Sequence, residues 1–325
     1  MPYEVVPLPF KPPRLEGLSE RLLASHYEDN YGGAVRRLNT IEKRFAQLDW
    51  GAEPIFEING LARERLIAAN SMILHEIYFD GLGGRGDPAG DLAEALERDF
   101  GSVERWRAEF AAMGKAQAGG SGWVLLTWSE RLGRLTNQWA ADHAHTLAEG
   151  VPIIALDMYE HAYHLDFGAK AAAYVDAVMA NIHWERVAAR YRRASKRPAA
   201  ATAKAATVDP GQVTVTQLQA MLEHGDDVVV LDVCLADDLA KRSDVLPSAR
   251  LRAPEAIDRW ADELPRGKAI VAYCVYGFQV SGDAVAELRR RGFDARSLAG
   301  GIAAWHAMGG ATIPLAQPRT SGEAA

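Results

Sequence analysis

Cysteine is nearly absent from this chain: its 325 residues include two, Cys234 and Cys274. Both fall in the last third, so a disulfide framework is excluded and a reducing cytoplasm is the expected setting. Long apolar runs are missing too. None approaches the roughly 20 residues that a bilayer-spanning helix needs, so no membrane partner is expected. The opening Met1-Pro2-Tyr3-Glu4 has no basic stretch leading into an apolar one, which argues against a secretory signal. Nor is there an excess of positive charge. A formal net charge of -7 argues against general affinity for nucleic acid or anionic membrane. What is left is the composition of a soluble globular protein, 48% hydrophobic and 24% charged. The length suffices for two ordinary domains with separate cores.

The front half is organised around one stretch. Pro152-Ile153-Ile154-Ala155-Leu156 reads as a buried strand, and it ends abruptly at Asp157. His161 follows four residues later, a spacing at which a carboxylate and an imidazole can converge on one point. That pair is a ligand set for Fe, Mn or Zn, without the thiolates that favour soft metals. On spacing alone, a surface Asp beside a core His is the competing reading.

The rest of this half places the pair in an α+β fold. Residues 1–16 are Pro-rich and read as extended. Ser19 caps a helical pattern that runs through Leu22, Leu23 and His26 to Ile41. A second long helix covers about Leu61 to Phe79, and the two form a helical hairpin. The glycine-dense Gly81–Gly90 run ends it. A helical stretch from Leu92 to Ala118 leads to Trp123–Trp128 and Arg134–Trp139, an expected antiparallel pair. Pro152–Asp157 supplies a third strand, and a helix over Ala169–Ile182 closes the layer. The expectation is a long helical hairpin followed by an α/β layer with a three-stranded antiparallel sheet.

Asp157-Met-Tyr-Glu-His-Ala-Tyr163 closely resembles the metal signature of the iron/manganese superoxide dismutases, Asp-x-Trp-Glu-His-Ala-Tyr. The resemblance runs from about residue 15 to 191. It implies four ligands: His26, in a His-x-x-x-x-Tyr block; His75, in Asn70-Ser-Met-Ile-Leu-His-Glu-Ile-Tyr78; and Asp157 and His161. It implies one Fe or Mn ion per chain, with room for a bound water. The implied reaction converts superoxide to dioxygen and hydrogen peroxide, which Zn cannot support for want of a redox couple. Around the ligands the resemblance sets Tyr78 and Trp123, with Trp128 as a further apolar wall. Gln138 matches the glutamine that the manganese branch directs at the bound solvent. Glu160 reaches across a two-fold axis in the family, and Tyr163 pairs with a histidine that is Asn30 here. A homodimer through the front domain follows.

There are departures. Asn30 and Ala34 stand where the family usually has histidine and the tyrosine of the substrate funnel, and Phe79 and Tyr159 replace tryptophans. The ligands are kept while the gate loses its phenol. Tyr31 is the candidate to stand in for it, although on a regular helix it points about 100° away. The other six histidines, His143, His145, His164 and His183 among them, are read as ordinary core or surface residues.

Arg190 to Ala206 holds six Lys/Arg and no acid, the pattern of a solvated tether. From Val213 the period changes. Strand-like Val228–Val233, Ala269–Tyr273 and Ala295–Leu298 alternate with helical Thr216–Glu223, Pro254–Leu264 and Gln279–Arg291. Such alternation signals a small parallel α/β domain. Cys274 ends the strand Ala269–Tyr273 and opens a loop onto a helix N-terminus, a setting that binds anions and favours thiolate. A buried, inert cysteine is the plainer reading.

Leu231-Asp-Val, Leu246-Pro-Ser-Ala, Tyr273-Cys-Val-Tyr-Gly277 and Leu298-Ala-Gly-Gly-Ile-Ala-Ala-Trp305 look like a single-domain rhodanese across residues 213–310. The resemblance implies a persulfide on Cys274, held by the loop Val275, Tyr276, Gly277, Phe278 and Gln279. The family's usual Arg and Ser late in this loop are Gln279 and Val280 here. A cysteine phosphatase needs a longer loop ending in Arg to clamp phosphate, and none is present. Cys234 is read as structural.

The expected organisation is a dismutase-like domain (1–191), a basic linker (192–212), a rhodanese-like domain (213–312) and a disordered tail (313–325). The expected function is superoxide dismutation fused to sulfur transfer, both acting on small anions. The alternative is a front domain that binds metal and dimerises with weak dismutation, leaving the main activity to Cys274.

Overall fold

The computed structural model describes residues 2–195 and 211–315. The chain divides into two compact units, residues 1–205 and 206–325.

In the first unit, Ser19 starts α1 (Glu20–Ser25) by accepting a hydrogen bond from the Leu22 amide, 3.1 Å, as an N-cap serine does. The expected single helix is then interrupted. His26–Tyr31 forms a π-helical turn before α2 (Gly32–Phe45) resumes the regular pitch. The hairpin partner α3 (Ile55–Asp80) starts six residues earlier than expected. The stretch read as one helix after it is two, α4 (Asp91–Phe100) and α5 (Val103–Ala116). Gly101 breaks them apart at φ +92°, and Ser102 caps the second.

Strands β1 (Trp123–Ser129), β2 (Arg134–Ala140) and β3 (Gly150–Asp157) form an antiparallel sheet in the order β2-β1-β3. Register sets Trp123 opposite both Ala140 and Asp157. Short α6 (His164–Phe167), α7 (Ala171–Ala180) and α8 (Trp184–Ser195) complete the unit. Helix α8 carries residues 192–195, the start of the segment read as linker. Residues 196–210, which hold the rest of that expectation, lie outside the described residues.

An extended N-terminal segment is tied to the first helices at Tyr3, which exchanges two hydrogen bonds with Asn39, and at Val6. Val6 donates its N–H to the Tyr31 hydroxyl, 2.7 Å, while its carbonyl accepts from the Tyr27 hydroxyl, 3.0 Å. Both phenols come from the π-helical turn.

The second unit opens with β4 (Gln212–Val213) and α9 (Val215–Glu223), joined by a Thr214–Gln217 capping box. Then come β5 (Val228–Asp232), α10 (Ala236–Leu239), β6 (Asp244–Val245), β7 (Arg250–Leu251) and α11 (Ile257–Trp260). The last elements are β8 (Ala269–Tyr273), α12 (Gln279–Arg290), β9 (Ala295–Leu298), α13 (Gly301–Ala307) and β10 (Ile313–Pro314). Five strands form a parallel sheet in the order β4-β9-β8-β5-β7. The run over 254–264 is broken into short turns rather than one helix. One core cluster gathers Val229, Leu231, Ile270 and Ala272 from the central strands with Trp260, Leu288 and Phe293. Residues 313 and 314, read as tail, pair with β6; from 316 on the tail lies outside the described residues. No helix of the described residues is long and apolar enough to cross a membrane.

Candidate metal centre and thiol loop

Asp157 ends β3 with its side chain fully buried. Its Oδ1 accepts the Tyr159 amide at 2.9 Å, which turns the chain out of the strand and aims Oδ2 inwards. Oδ2 lies 3.1 Å from His26 Nε2, 3.1 Å from His161 Nε2 and 3.4 Å from His75 Nε2. One ligand atom from each of the four side chains lies within 4.8 Å of all the others. The four expected ligands therefore meet.

Whether they fit a metal is decided by their hydrogen bonding. His75 Nδ1 faces the Ser71 carbonyl at 2.7 Å and donates to it, so its proton is on Nδ1 and Nε2 carries a lone pair. That Nε2 is buried with no hydrogen-bond partner, as is His26 Nδ1. Burial, reinforced by the neighbouring His26, holds His75 down to about 3, so it is neutral at physiological pH. Burial also lowers His26. Burial pushes the Asp157 carboxyl up, but His161 and His26 outweigh it and hold the group below the usual carboxylate range. A buried, unpartnered Nε2 lone pair on His75 beside an ionised carboxylate, with the Nε2 atoms of His26 and His161 each 3.1 Å from the same oxygen, is what a hard or borderline cation requires. The donor set fits one Fe or Mn ion.

Aromatic rings wall the cluster. Tyr78 and Phe79 stand 4.9 and 5.1 Å from the His26 ring, and Trp123 meets His75 edge-on at 5.2 Å. Trp123 is held there by Gly122. A Cβ on Gly122 would lie 2.0 Å from the Ala140 carbonyl, and its own carbonyl takes the Met158 amide at 2.9 Å. Trp128 is not a wall. Five residues along a strand is an odd spacing, which sends it to the opposite sheet face, where it packs on Tyr191.

Two side chains were misjudged from sequence. Gln138 lies on β2 opposite Leu125, two residues from the Trp123–Ala140 pair at the Asp157 end. Its amide is engaged by Thr127 Oγ1 and the His145 carbonyl, both at 3.3 Å, and not by the cluster. The residue that flanks the cluster is His143. Its Nδ1 accepts the Trp123 indole N–H at 2.9 Å, and its ring stacks on Tyr159 at 4.8 Å and 11°. It lies 6.2 Å from the His75 ring, and Tyr159 in turn stacks on His161 at 5.4 Å. No period marks His143, because it falls in the loop after β2.

Tyr31 is the second correction. The π-helical turn breaks the 3.6-residue register on which the 100° offset rests. The Tyr31 ring stacks on His75 at 6.2 Å. The gate keeps a phenol ring, but the hydroxyl donates to Glu76 Oε1 at 3.0 Å, away from the cluster. Asn30 is half-buried and Ala34 buried on the same helices. Glu160 is exposed, and Tyr163 is buried against Tyr174 at 5.5 Å.

In the second unit, Cys274 follows β8 at the centre of the parallel sheet and is buried. Its Sγ lies 3.3 Å from the hydroxyl of Ser281, in the first turn of α12. Gly277 (φ +71°) and Gly301 (φ +60°) let the loop press on the backbone behind it; a Cβ on Gly301 would sit 2.1 Å from the Cys274 carbonyl. Cys234 lies two residues past the end of β5 under Arg242, whose guanidinium donates to Cys234 Sγ and to Asp232, both at 2.9 Å. Burial, then the Asp232 charge, push the Cys234 thiol up.

Residues 88–190 match the profile of the iron/manganese superoxide dismutases, C-terminal domain, and residues 214–308 match the rhodanese-like domain. A superoxide dismutase [Fe] of Cupriavidus metallidurans is 66% identical over 194 residues, covering 60% of this chain and 98% of that protein. A superoxide dismutase [Fe] of Aquifex pyrophilus is 33% identical over 194 residues, covering 57% of this chain and 90% of that protein. A superoxide dismutase [Mn] 1 of Halobacterium salinarum is 32% identical over 199 residues, covering 60% of this chain and 98% of that protein. A buried three-histidine, one-carboxylate centre on a helical hairpin and antiparallel sheet defines a mononuclear metalloprotein. The chain belongs to the iron/manganese superoxide dismutase family, and it carries a rhodanese-like domain behind the family's fold.

Proposed function

We propose that the front unit disproportionates superoxide and that the second unit transfers sulfur through a persulfide on Cys274. The observation that carries the first reading is the convergence of His26, His75, Asp157 and His161 within 4.8 Å, with buried imidazole nitrogens left unpartnered. The bound Fe or Mn supplies a one-electron couple. The chain's residues hold that ion, exclude water and direct protons. Trp123 fixes His143 as the Nδ1-acceptor tautomer, so its Nε2–H is the proton the ring has left to give. The stacked Tyr159 keeps that ring in plane. Gln138, the sequence argument for manganese, is engaged elsewhere, so the choice between iron and manganese does not rest on it. Stopped-flow superoxide decay by the metallated chain, with elemental analysis of the same sample, is the test. A rate no better than the free metal ion removes the reading.

Glu160 is the side chain through which a second front unit would be engaged, with Asn30 altering the bond made to Tyr163, and the assembly proposed is a homodimer. The domains proposed are a dismutase-like domain, 1–191 and carried on by α8 to Ser195, and a rhodanese-like domain, 213–312. Two free thiols suit a reducing cytoplasm.

For the second unit, a thiol at a strand end beside the first turn of a 12-residue helix meets the partial positive charge of that terminus. Thiocyanate formation from cyanide by the wild-type chain, lost in Cys274→Ala, tests this.

A further inference from the structure

The sulfur loop carries no cationic side chain. From Cys274 to Ser281 it reads Cys-Val-Tyr-Gly-Phe-Gln-Val-Ser, with Val275, Tyr276 and Phe278 half-buried and Gln279 exposed. The guanidinium at the end of the neighbouring strand, Arg242, is bound to Asp232, the Asp244 carbonyl and Cys234 Sγ. What faces the sulfur is the Ser281 hydroxyl at 3.3 Å and the N-terminal turn of α12. The carbonyls of Cys274 and Val275, which would repel an anion, are taken up by the Ile302 and Ala303 amides, both at 3.0 Å.

This environment supplies about half a positive charge and offers apolar surface. A dianionic donor such as thiosulfate presents a sulfonate that calls for a charge-assisted fork, and the loop has none. At its reacting sulfurs a persulfide, R–S–SH, carries at most one charge and no sulfonate, so it needs no such fork, and the carbon chain next to them matches Val275, Tyr276 and Phe278.

We infer that the sulfur donor is an organic persulfide and that thiosulfate is a poor substrate; this rests on the sulfurtransferase reading above. In the loading step the Cys274 thiolate attacks the outer sulfur of R–S–SH. The Sγ–S bond forms, the inner S–S bond breaks, and its electron pair leaves with R–S⁻, which takes a proton from solvent. Cys274–S–SH results with no net redox change. Cyanide then takes the outer sulfur as thiocyanate, and the persulfide proton goes to solvent as the Cys274 thiolate returns.

The test uses the full metallated chain with glutathione persulfide and with thiosulfate as donors. Loading is followed by intact mass, as addition of one sulfur at Cys274, and turnover by thiocyanate release. Glutathione persulfide is expected to load Cys274 about 100-fold more efficiently than thiosulfate, the scale of two missing charged hydrogen bonds. Gln279→Arg, which supplies a guanidinium, is expected to raise thiosulfate loading at least about 10-fold. Equal loading by both donors, or no gain for thiosulfate in Gln279→Arg, overturns the donor assignment. If neither donor adds sulfur to a Cys274 that still reacts with iodoacetamide, the sulfurtransferase reading itself fails.

Discussion

The indole of Trp123 donates to Nδ1 of His143 at 2.9 Å, and this bond decides which face of the imidazole carries its proton. Burial lowers His143, so the ring is neutral and has one N–H to give. With Nδ1 occupied, that donor is Nε2.

Trp123→Phe keeps an apolar ring against His75 but frees His143 to place its proton on either nitrogen. Metal content is expected to stay unchanged while superoxide decay slows about 5- to 10-fold, the value of one net hydrogen bond. His143→Gln, which keeps an N–H donor, is expected to retain more activity than His143→Ala. Stopped-flow decay on metal-matched samples decides it; equal rates for all three variants and wild type would remove His143 from the reaction.

Asp157 is the one carboxylate among the four candidate ligands, and three imidazole nitrogens lie within 3.4 Å of its Oδ2. Asp157→Asn preserves shape and removes the charge. Metal content of the purified chain is expected to fall below about a tenth of wild type, since carboxylate charge is a main source of affinity for hard cations. Removing the metal from wild type should lower its denaturation midpoint, because a ligand present at 100 times its Kd stabilises by about 2.7 kcal/mol. Elemental analysis and urea titration of loaded and stripped protein check both outcomes.

How much of this could be read in the sequence differs residue by residue. Asp157 and His161 announce themselves, because an apolar run ending in a carboxylate with an imidazole four residues on is a local pattern. His26 and His75 do not. Each sits in a helix like any core histidine, and only their motif blocks single them out. Tyr31 was misplaced because 3.6-residue periodicity assumes a regular helix, and nothing in Tyr27-Glu-Asp-Asn-Tyr31 signals the wider turn. Gln138 and His143 were exchanged for a related reason. Strand alternation extends to Ala140 and then stops, so it gives no information about where the following loop folds back. In the second unit the β/α alternation identified the parallel sheet and put Cys274 at a strand end. Ser281 escaped notice because it lies inside the helix rather than in the loop.

Glu76 makes stability depend on pH. Burial raises its carboxyl to about 7 against an ordinary 4.5, although the Tyr31 hydroxyl pulls the other way. The raised folded value means that its contribution is full below pH 4.5 and is lost as pH rises through about 7. Glu76→Gln keeps an acceptor for Tyr31 and cannot ionise. Metal-free Glu76→Gln is expected to match wild type at pH 4.5 and to exceed it at pH 8 by about 1–3 kcal/mol. Urea titrations at the two pH values measure the difference. An equal offset at both would mean that ionisation of Glu76 is not its source.

Tyr31→Phe acts on the same corner without a charge change. It leaves the Val6 N–H without its acceptor and Glu76 without its donor. A loss of about 1–3 kcal/mol is expected at pH 7, since two partly buried polar groups lose a partner. Tyr27→Phe frees only the Val6 carbonyl, one group rather than two, so a smaller loss is expected. Denaturation midpoints of the two variants test this order, and the reverse order would show that the two hydrogen bonds of the Tyr31 hydroxyl are not what dominates.

Ser281 is tied to Cys274 by a single contact, its hydroxyl 3.3 Å from Sγ, and also reaches the Phe278 carbonyl at 3.3 Å. Donation to a thiolate favours the ionised sulfur, whereas donation to the carbonyl only shapes the turn. The pH profile of iodoacetamide labelling at Cys274 separates the two. If the hydroxyl supports the thiolate, Ser281→Ala shifts the profile to higher pH and slows labelling at neutral pH about 5-fold, as expected for about 1 kcal/mol. If it only shapes the turn, the profile keeps its midpoint. Superoxide decay serves as the control, since the metal ligands all come from the first unit and should be indifferent to a hydroxyl in the second. Cys274→Ala should likewise leave superoxide decay intact while removing all labelling at that position, which makes the two chemistries separable on one chain.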